Sequence, residues 1–541
     1  MTSNRRDFLK MASMAAVAFG GRRIPFGNVL PGFDAYPHAG DPQLKALCER
    51  ALDAARAAGA TYADVRFTLT RLEELRFMGT SLWYFAQNEE FAAVGVRALV
   101  DGAWGFAASA LWTPDEMAHL GREAAVQAKT NAAGGRRKVD LGPPPPVVTG
   151  EWSTPIKRDP FSVTTAEKIE VAYAFNEAVA RLNLGATVAS AGGGMDTLWQ
   201  RQEKTFASTD GSFVSQTLYS ARPSFSVGVT TPKGKAGRSS DILQPTAGGF
   251  EVVADAPLLD EIPRLVDDAL FLVGAVRVIP DRYDVVFDAR ATAQILAYTV
   301  GVASELDRVL GFEANAGGTT YLAPPEEMLG KFAVGPKLLN VKGDRSRPGG
   351  LSTVKWDDEG VTPEEYTLVK DGILVDYHTT REVAATLAPW YSKSGRPVRS
   401  HGCAAGDDAL GFTTLIPPNI EMAAASDGTA FEDLVASLDK GLVVCAGSVF
   451  ADRQQLNGEV DGEMVYEVRK GKRTRPISHS EILFRAPDLW KGLEAIGGKD
   501  TRIWTGTSLR KGQPSQSYSF GVGAVAARFK KVAVTDNMRK A

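Results

Sequence analysis

One strand-and-helix segment, residues 283–307, most narrows the folds that this chain can adopt. Residues 284–287 form a short apolar run with two β-branched valines, which is typical of a buried strand. Asp288 follows directly and can act as the N-cap of a helix. The segment therefore predicts a buried strand followed by a helix that runs through Ala297 and Val302 to the end of the segment.

The chain before this segment mixes helical and strand-like patterns, and strand-like patterns dominate after it. Asp41 precedes an amphipathic pattern that ends at Gly59, which predicts a first helix with both ends capped. Strand-like runs flank three dipeptides that favour tight hairpin turns, namely Asp101-Gly102, Asp371-Gly372 and Lys470-Gly471. We therefore expect an α+β fold, with an N-terminal α/β region followed by a mostly β C-terminal domain.

Prolines mark two breaks in the chain. Residues 142–146 read Gly-Pro-Pro-Pro-Pro, and consecutive prolines exclude a helix and favour an extended linker or surface strap. Pro280 lies at a second break. We expect one region over residues 41–275 and a C-terminal domain over residues 281–535.

Several motifs together resemble the TldD/TldE (PmbA) family of metallopeptidases, from about residue 43 to about residue 535. The motifs that carry the resemblance are GATYADVR at 59–66, GVRALVDGAWGFA at 95–107, DDEGV at 357–361 and the hairpins at 366–377 and 464–476. Each motif is weak alone, but their order and spacing match the family. The resemblance implies a TldD/PmbA-like fold with the family's metallopeptidase site on the helix of residues 283–307.

This sequence departs from the family at the metal ligands. In the family the helix carries His-Glu-x-x-x-His, whose histidines bind zinc and whose glutamate activates water. Here Ala297, Tyr298 and Val302 stand at those three positions. Alanine and valine offer no lone pair to a metal, and tyrosine cannot replace a carboxylate base near neutral pH. The family's third ligand, a cysteine near the C-terminus, corresponds to Gly497.

The spacing of the family's two histidine positions predicts an irregular turn in the helix. Positions 297 and 302 lie about 140° apart around a regular helix of 100° per residue. A local distortion such as a π-type turn is needed to aim both side chains at one ion. Because the ligands and the base are missing, we expect no cofactor in this protein, although zinc is the cofactor of the family.

Other chemistry in the sequence is limited. Glu305 and Asp307, which the family pattern retains, could be bare acids in a cleft, or they could cap or pack against other groups. His401 and Cys403 are two residues apart with acidic residues at 407–408, and they could form a substitute metal site or be incidental. No two of the five histidines are close enough in sequence for a helical zinc pair.

The N-terminus resembles a twin-arginine export signal. Arg5 and Arg6 precede Phe8, Leu9 and Lys10, and residues 11–19 supply a short, weakly hydrophobic stretch. We expect residues 1–30 to be a signal and leader, and the mature protein to be periplasmic or otherwise exported. A basic N-terminal segment without this role is the alternative.

Charge and hydropathy give no indication of nucleic acid binding or of a membrane span. The formal net charge of -3 gives no electrostatic reason to expect nucleic acid binding. No uninterrupted apolar run approaches membrane-spanning length, so we expect no membrane span in the mature protein.

Two functions remain open. The first is a non-catalytic pseudoenzyme that binds peptide or pairs with a TldD/TldE-like subunit in a homo- or heterodimer. The resemblance supports it, because TldE members naturally lack the zinc motif and pair with an active TldD. The second is a peptide hydrolase active in proteolysis through a relocated or unrecognised site. The first requires only losses, whereas the second requires a site that the sequence does not display.

Overall fold

The computed structural model describes residues 41–78, 83–134, 137–233, 235–240 and 243–538. The export signal expected in residues 1–30 lies outside the described residues. The α-helices of the described part are α1 (Pro42–Ala57), α2 (Pro114–Gly134), α3 (Thr165–Ala180), α4 (Glu251–Ala254), α5 (Ile262–Val273), α6 (Ala289–Leu296), α7 (Leu306–Val309), α8 (Pro325–Met328), α9 (Arg381–Ala384), α10 (Ala388–Lys393), α11 (Phe431–Ala436) and α12 (Ala486–Lys491). None of these helices is long and apolar enough to cross a membrane.

The first strands of the described chain build one large sheet. They are β1 (Tyr62–Met78), β2 (Trp83–Val100), β3 (Ala103–Ser109), β4 (Thr149–Ser153), β5 (Ser190–Ser208), β6 (Phe213–Thr230) and β7 (Ala236–Ser240). The strand order is β3-β2-β1-β5-β6-β4, with β7 paired to β6. Helices α1 and α2 pack on one part of this sheet, and α3 and α5 pack on another, which gives this region two separate hydrophobic cores.

The remaining strands build the C-terminal domain. They are β8 (Val276–Arg277), β9 (Asp281–Phe287), β10 (Val341–Asp344), β11 (Tyr366–Lys370), β12 (Ile373–Leu374), β13 (Ala404–Ala405), β14 (Thr414–Leu415), β15 (Asn419–Met422), β16 (Lys440–Cys445), β17 (Ser448–Ala451), β18 (Asn457–Asp461), β19 (Met464–Arg469), β20 (Lys472–Ser478), β21 (Ser480–Arg485), β22 (Leu493–Ile496), β23 (Ile503–Lys511), β24 (Gln516–Ala524) and β25 (Ala527–Asp536). One sheet has the order β17-β18-β21-β25-β9-β16-β19-β20-β8, with β22 on β25. A second sheet has the order β12-β11-β10-β15-β24-β23.

The structure confirms the expected mixed α and β fold and its hairpin turns. Asp101, Asp371 and Lys470 each have a φ between 50° and 52° and are followed by a glycine with positive φ. Two consecutive left-handed residues are what a tight two-residue hairpin turn requires. The C-terminal domain is mostly β, with only short helices among its described residues.

Buried ion pairs join the C-terminal domain to the large N-terminal sheet. Asp358 of the DDEGV motif accepts a bond of 2.7 Å from Lys204 on β5. The neighbouring Glu359 lies 3.5 Å from Arg97 on β2, and Arg97 also contacts Asp64 at 2.6 Å. All five side chains are buried. This acidic loop therefore fixes how the two parts of the molecule sit against each other.

The strand and the N-cap of residues 283–307 lie where the sequence predicts them. The chain also stays helical through Ala297 and Val302, but it is a regular α-helix only as far as Leu296. Asp288 accepts a bond of 2.8 Å from the Ala291 backbone, and α6 ends after two turns. A π-helical turn, Ala297–Gly301, follows, and then a 3₁₀ turn, Val302–Ser304, leads towards α7. The α-helix ends at a run of β-branched residues and a glycine, which are poor helix formers.

Candidate functional site

The π-turn lies at the centre of the C-terminal hydrophobic core. Ala297 is fully buried and Val302 is only 1% exposed, and both belong to a cluster that joins the two C-terminal sheets. Gly301 is equally enclosed, because a Cβ there would lie 2.9 Å from Ile420 Cδ1. The positions at which the resemblance places the metal ligands therefore face packed apolar side chains.

Three side chains satisfy the backbone and hydroxyl groups of the π-turn. Trp490 Nε1 donates to Thr299 Oγ1 at 2.9 Å, and the Tyr321 hydroxyl donates to the Thr299 carbonyl at 2.7 Å. His378 Nε2 donates to the Gly301 carbonyl at 2.9 Å. A π-turn interrupts the regular helical hydrogen-bond pattern, so such partners stabilise its irregular backbone. The turn that the spacing of the ligand positions requires is thus present and held by neighbouring side chains.

His378 is the histidine beside this turn, and both of its ring nitrogens are engaged. Because a carbonyl cannot donate, Nε2 carries the proton, and Nδ1 accepts a hydrogen bond from the Tyr366 hydroxyl. Burial lowers the pKa of His378 to about 4. The ring is therefore neutral near pH 7 and leaves no lone pair for a metal.

Tyr298 and Gly497 complete the set of family positions. The Tyr298 hydroxyl bonds with Thr507 on β23, and burial raises the pKa of Tyr298, so it is not a base near neutral pH. Gly497 is buried, and its backbone bonds with Ala526 and Ala425. A Cβ at position 497 would overlap Thr501 Oγ1 and lie 2.8 Å from its methyl carbon. A larger side chain at position 497 therefore requires Thr501 to move.

Glu305 and Asp307 are members of a buried charge cluster, and they are not bare acids in a cleft. Lys511 Nζ lies 2.7 Å from Asp307 Oδ2 and 3.1 Å from Glu305 Oε2. Arg308 also pairs with Glu305, and the Tyr518 hydroxyl donates to Glu305 Oε1 at 3.2 Å. The cluster contains two acids and two bases, so its formal charge is balanced.

Burial and charge act against each other in this cluster. Burial raises the pKa of Asp307 to about 6, although Lys511 opposes this shift. Burial also acts to raise the pKa of Glu305, but Lys511 and Arg308 outweigh it, and the pKa lies below its ordinary value. Asp307 is therefore the acid of the cluster that protonates first on mild acidification.

The alternative metal site at His401 and Cys403 is not assembled in the structure. The His401 ring stacks on Tyr366 with centroids 3.7 Å apart, and its Nε2 lies 3.1 Å from Asp376 Oδ2. The Cys403 sulfur lies 3.8 Å from the Tyr366 hydroxyl, and burial raises the pKa of the thiol to about 11. In the described ranges of the chain, no three His, Cys, Asp or Glu side chains are grouped so that they could hold a metal.

The acids near this pair are used elsewhere. Asp407 accepts a bond of 3.0 Å from the Ser517 backbone, and Asp408 accepts one of 2.7 Å from the Leu410 backbone. Both acids line a cavity between the large N-terminal sheet and the C-terminal domain. The loop therefore presents its acids to that cavity.

This cavity has a volume of about 650 Å³. Strands β1, β2, β5 and β6 form one wall, and the β23–β24 hairpin with two loops, 345–354 and 405–408, contributes to the other. Successive side chains of a strand point to opposite faces. The cross-strand pairs Ser508 with Ser519 and Arg510 with Ser517 share one face of the hairpin, and all four residues line the cavity. Thr507 and Lys511 lie on the opposite face and contact Tyr298 and the charge cluster.

Neither this cavity nor the arginine on its N-terminal wall, Arg222, was predicted from the sequence. The β23–β24 hairpin gave no clear local signal, because polar residues occur on both of its faces, such as Ser508 on one and Thr507 on the other. The sequence offers no sign of the opposite wall, which comes from strands about 300 residues earlier in the chain.

Most of the chain is similar to known proteins. The C-terminal domain of the PmbA/TldA metallopeptidases matches residues 280–536, and their central domain matches residues 158–274. A metalloprotease of Methanothermobacter thermautotrophicus is 22% identical over 485 residues, which cover 87% of this chain and 95% of that protein. A metalloprotease of Methanocaldococcus jannaschii is 28% identical over 148 residues, or 27% of this chain and 30% of that protein.

Solved structures show the same fold. A proposed modulator of DNA gyrase from Thermotoga maritima superposes with a TM-score of 0.67 at 18% identity, covering 91% of this chain and 100% of its own. TldE from Thermococcus kodakarensis superposes with a TM-score of 0.65 at 15% identity, covering 90% of this chain and 99% of its own. At these identities the likeness concerns the fold.

Proposed function

Because the chain belongs to the PmbA/TldD metallopeptidase family, we propose that it is a member that works without the family's zinc. It would bind peptide or serve as a partner subunit and would not cut peptides. The donor set at the family positions supports this proposal, since zinc in proteins is bound by Cys, His, Asp and Glu. Ala297 and Val302 are apolar and buried, and Gly497 has no side chain.

Measurement of bound metal tests the first half of this proposal. Purified protein should contain far less than about one zinc per chain, because a catalytic site requires three protein ligands. A stoichiometric zinc that is lost on substitution of Ala297 or Val302 would contradict the proposal. Loss of zinc only in His401→Ala or Cys403→Ala would instead favour a hydrolase with a relocated site.

The cavity supports the peptide-binding half of the proposal. Its volume lies within the range of about 300 to 1,000 Å³ that is typical of ligand sites. Strand β23 lies at the edge of its sheet in the described chain, and an extended peptide can add a strand to such an edge without a metal. Fluorescence anisotropy with a dye-labelled peptide of alternating serine and alanine should show binding, and mass spectrometry should recover the peptide uncut.

A role as partner subunit is supported by the overall likeness to TldE, which concerns the fold. We expect a homodimer, or a heterodimer with a TldD-like protein that retains His-Glu-x-x-x-His. Sedimentation velocity of the protein alone, and of its mixture with such a protein, measures both. A protein that stays monomeric under both conditions would leave only the peptide-binding role.

Export is the third part of the proposal, and the sequence motif supports it. A variant with Arg5→Lys and Arg6→Lys keeps the charge of the wild type. It should nevertheless stay in the cytoplasm, because a receptor reads the arginine pair as an address. Cell fractionation measures this outcome, and unchanged periplasmic recovery of the variant would contradict it.

A further inference from the structure

Two arginines that line the cavity have no acidic partner. Arg222 on β6 donates one bond of 2.8 Å to Ser519 Oγ, while its Nε is buried without any hydrogen-bond partner. No carboxylate among the described residues lies within ion-pair distance of Arg222. Arg510 on β23 is exposed at the cavity wall and has neither an ion pair nor a side-chain hydrogen bond with a described residue.

The other charged groups on the cavity wall differ from these two arginines. Lys204 pairs with Asp358 at 2.7 Å, and Arg345 donates three hydrogen bonds to backbone carbonyls. Four acids also line the cavity, namely Glu74, Glu89, Asp407 and Asp408. Glu74 bonds with Arg76, and Glu89 has a partner of its own. Asp407 and Asp408 accept hydrogen bonds from backbone amides but form no ion pair with a described residue. Apart from Arg345, the cations on the described wall without an ion pair are therefore Arg222 on β6 and Arg510 on β23, and Arg222 Nε also lacks a hydrogen bond.

A half-buried guanidinium without a counter-charge is costly, because it has lost part of its hydration without an ion pair in return. Burial lowers the pKa of Arg222, yet arginine remains protonated in proteins. Its planar fork of donors matches a carboxylate, which accepts two parallel hydrogen bonds. The hydroxyls of Ser508 and Ser519 bond to each other at 2.8 Å, so one of their two protons stays free to extend this group of donors.

We propose that Arg222, Arg510, Ser508 and Ser519 form a carboxylate subsite in the cavity and that its ligand is the C-terminal carboxylate of a bound peptide. This inference rests on the proposed peptide-binding function and specifies which end of the peptide is recognised. The subsite lies on the face of the hairpin opposite to the π-turn. Recognition at the subsite therefore requires none of the family's metal positions.

A purely structural role for Arg222 is the competing explanation. The bond from Arg222 to Ser519 joins β6 of the N-terminal sheet to β24 of the C-terminal domain. If this hydrogen bond were the only role of Arg222, its substitution would change the stability of the protein but would not change its discrimination between ligands. The test must therefore measure how strongly the protein discriminates between a carboxylate and an uncharged ligand.

The experiment compares two versions of the serine-alanine peptide, one with a free C-terminal carboxylate and one with a C-terminal amide. The wild-type protein should bind the acid about 10-fold to 100-fold more tightly than the amide, as expected for charge-assisted hydrogen bonds. Arg222→Gln should remove most of this difference, mainly by weakening binding of the acid. Arg238→Gln is the matched control, because Arg238 also bonds to a serine hydroxyl, at 3.0 Å, but does not line the cavity.

The outcomes separate the two proposals. Equal binding of both peptides by the wild type would overturn the carboxylate subsite and leave peptide binding standing. Failure of both peptides to bind would count against the proposed function, and a second probe then decides on the subsite. At constant ionic strength, succinate should raise the Tm of the wild type and of Arg238→Gln more than that of Arg222→Gln. Equal shifts in all three proteins would overturn the subsite.

Discussion

Replacement of Lys511 by methionine should destabilise the C-terminal domain strongly. Lys511 is fully buried, and its ammonium group contacts both Glu305 and Asp307. Methionine has a similar length but no charge, so the cluster would change from balanced to a net charge of about -1 in a buried environment. The two carboxylates would then repel each other with only Arg308 to compensate them.

The expected loss follows from the cost of breaking a buried ion pair, which is about 3–5 kcal/mol. For a domain of this size, this corresponds to a fall in Tm of roughly 6 to 20 °C. The effect should depend on pH through Asp307, whose pKa is raised to about 6. Stability from a raised pKa is present at low pH and is lost as pH rises through the folded-state value. Lys511 lowers the pKa of Asp307, so its removal should raise this pKa further and make the carboxylate form more costly at high pH. The difference between the wild type and the variant should therefore be larger at about pH 8 than at about pH 5.

Differential scanning fluorimetry at both pH values measures this prediction. Lys440→Met is the matched control, because Lys440 forms an exposed pair with Asp281 at 3.5 Å and its loss should cost at most about 1 kcal/mol. Asp307→Asn in the Lys511→Met background should recover most of the loss, since it removes the uncompensated charge. A Lys511→Met protein with nearly wild-type Tm at both pH values would refute the reasoning.

Three further variants test the site, with Tm as the measurement. Arg222→Met should leave Tm unchanged or raise it, because the guanidinium it removes has no acidic partner. A large fall in Tm would indicate that the bond from Arg222 to Ser519 stabilises the contact between the two parts of the molecule. The pKa of His378 is lowered to about 4, so this residue contributes stability that is present above the ordinary histidine pKa of about 6.5 and is lost on acidification. His378→Gln should therefore reduce the fall of Tm below about pH 6.5. Parallel curves of Tm against pH for the two proteins would contradict this. Gly497→Ala should lower stability by about 1–3 kcal/mol through the clash with Thr501. Gly134→Ala has open space around its Cβ and should cost nothing, so equal Tm values for the two alanine variants would contradict the clash.

Local features of the site segment could be predicted from the sequence, but its helical geometry could not. The buried strand and the Asp288 N-cap depend on neighbouring residues, so the pattern was sufficient. The π-turn that follows α6 is stabilised by side chains far away in the chain. Trp490 reaches Thr299 across 191 residues, and His378 reaches Gly301 across 77. Only the spacing of the family's ligand positions indicated a π-type turn.

The ion-pair partners of Glu305 and Asp307 could not be predicted from the sequence either. The sequence left two roles open for Glu305 and Asp307, and the structure resolves them through Lys511, more than 200 residues away. Ion pairing at such a separation depends on the fold, and the sequence pattern has no period that reveals it. The predicted domain limits of 41–275 and 281–535 remain predictions, although strand β9 begins the C-terminal sheet at Asp281.

The two faces of the β23–β24 hairpin imply that two selective pressures alternate along a single stretch of sequence. A substitution at Thr507 acts on the buried side of the π-turn, whereas a substitution at Ser508 acts on the cavity. Positions on the first face must preserve packing and charge balance, because Thr507 and Lys511 contact buried groups. Among relatives we therefore expect every second residue of the hairpin to vary only together with its buried partners. The intervening positions should keep their polar side chains for as long as the cavity has a ligand.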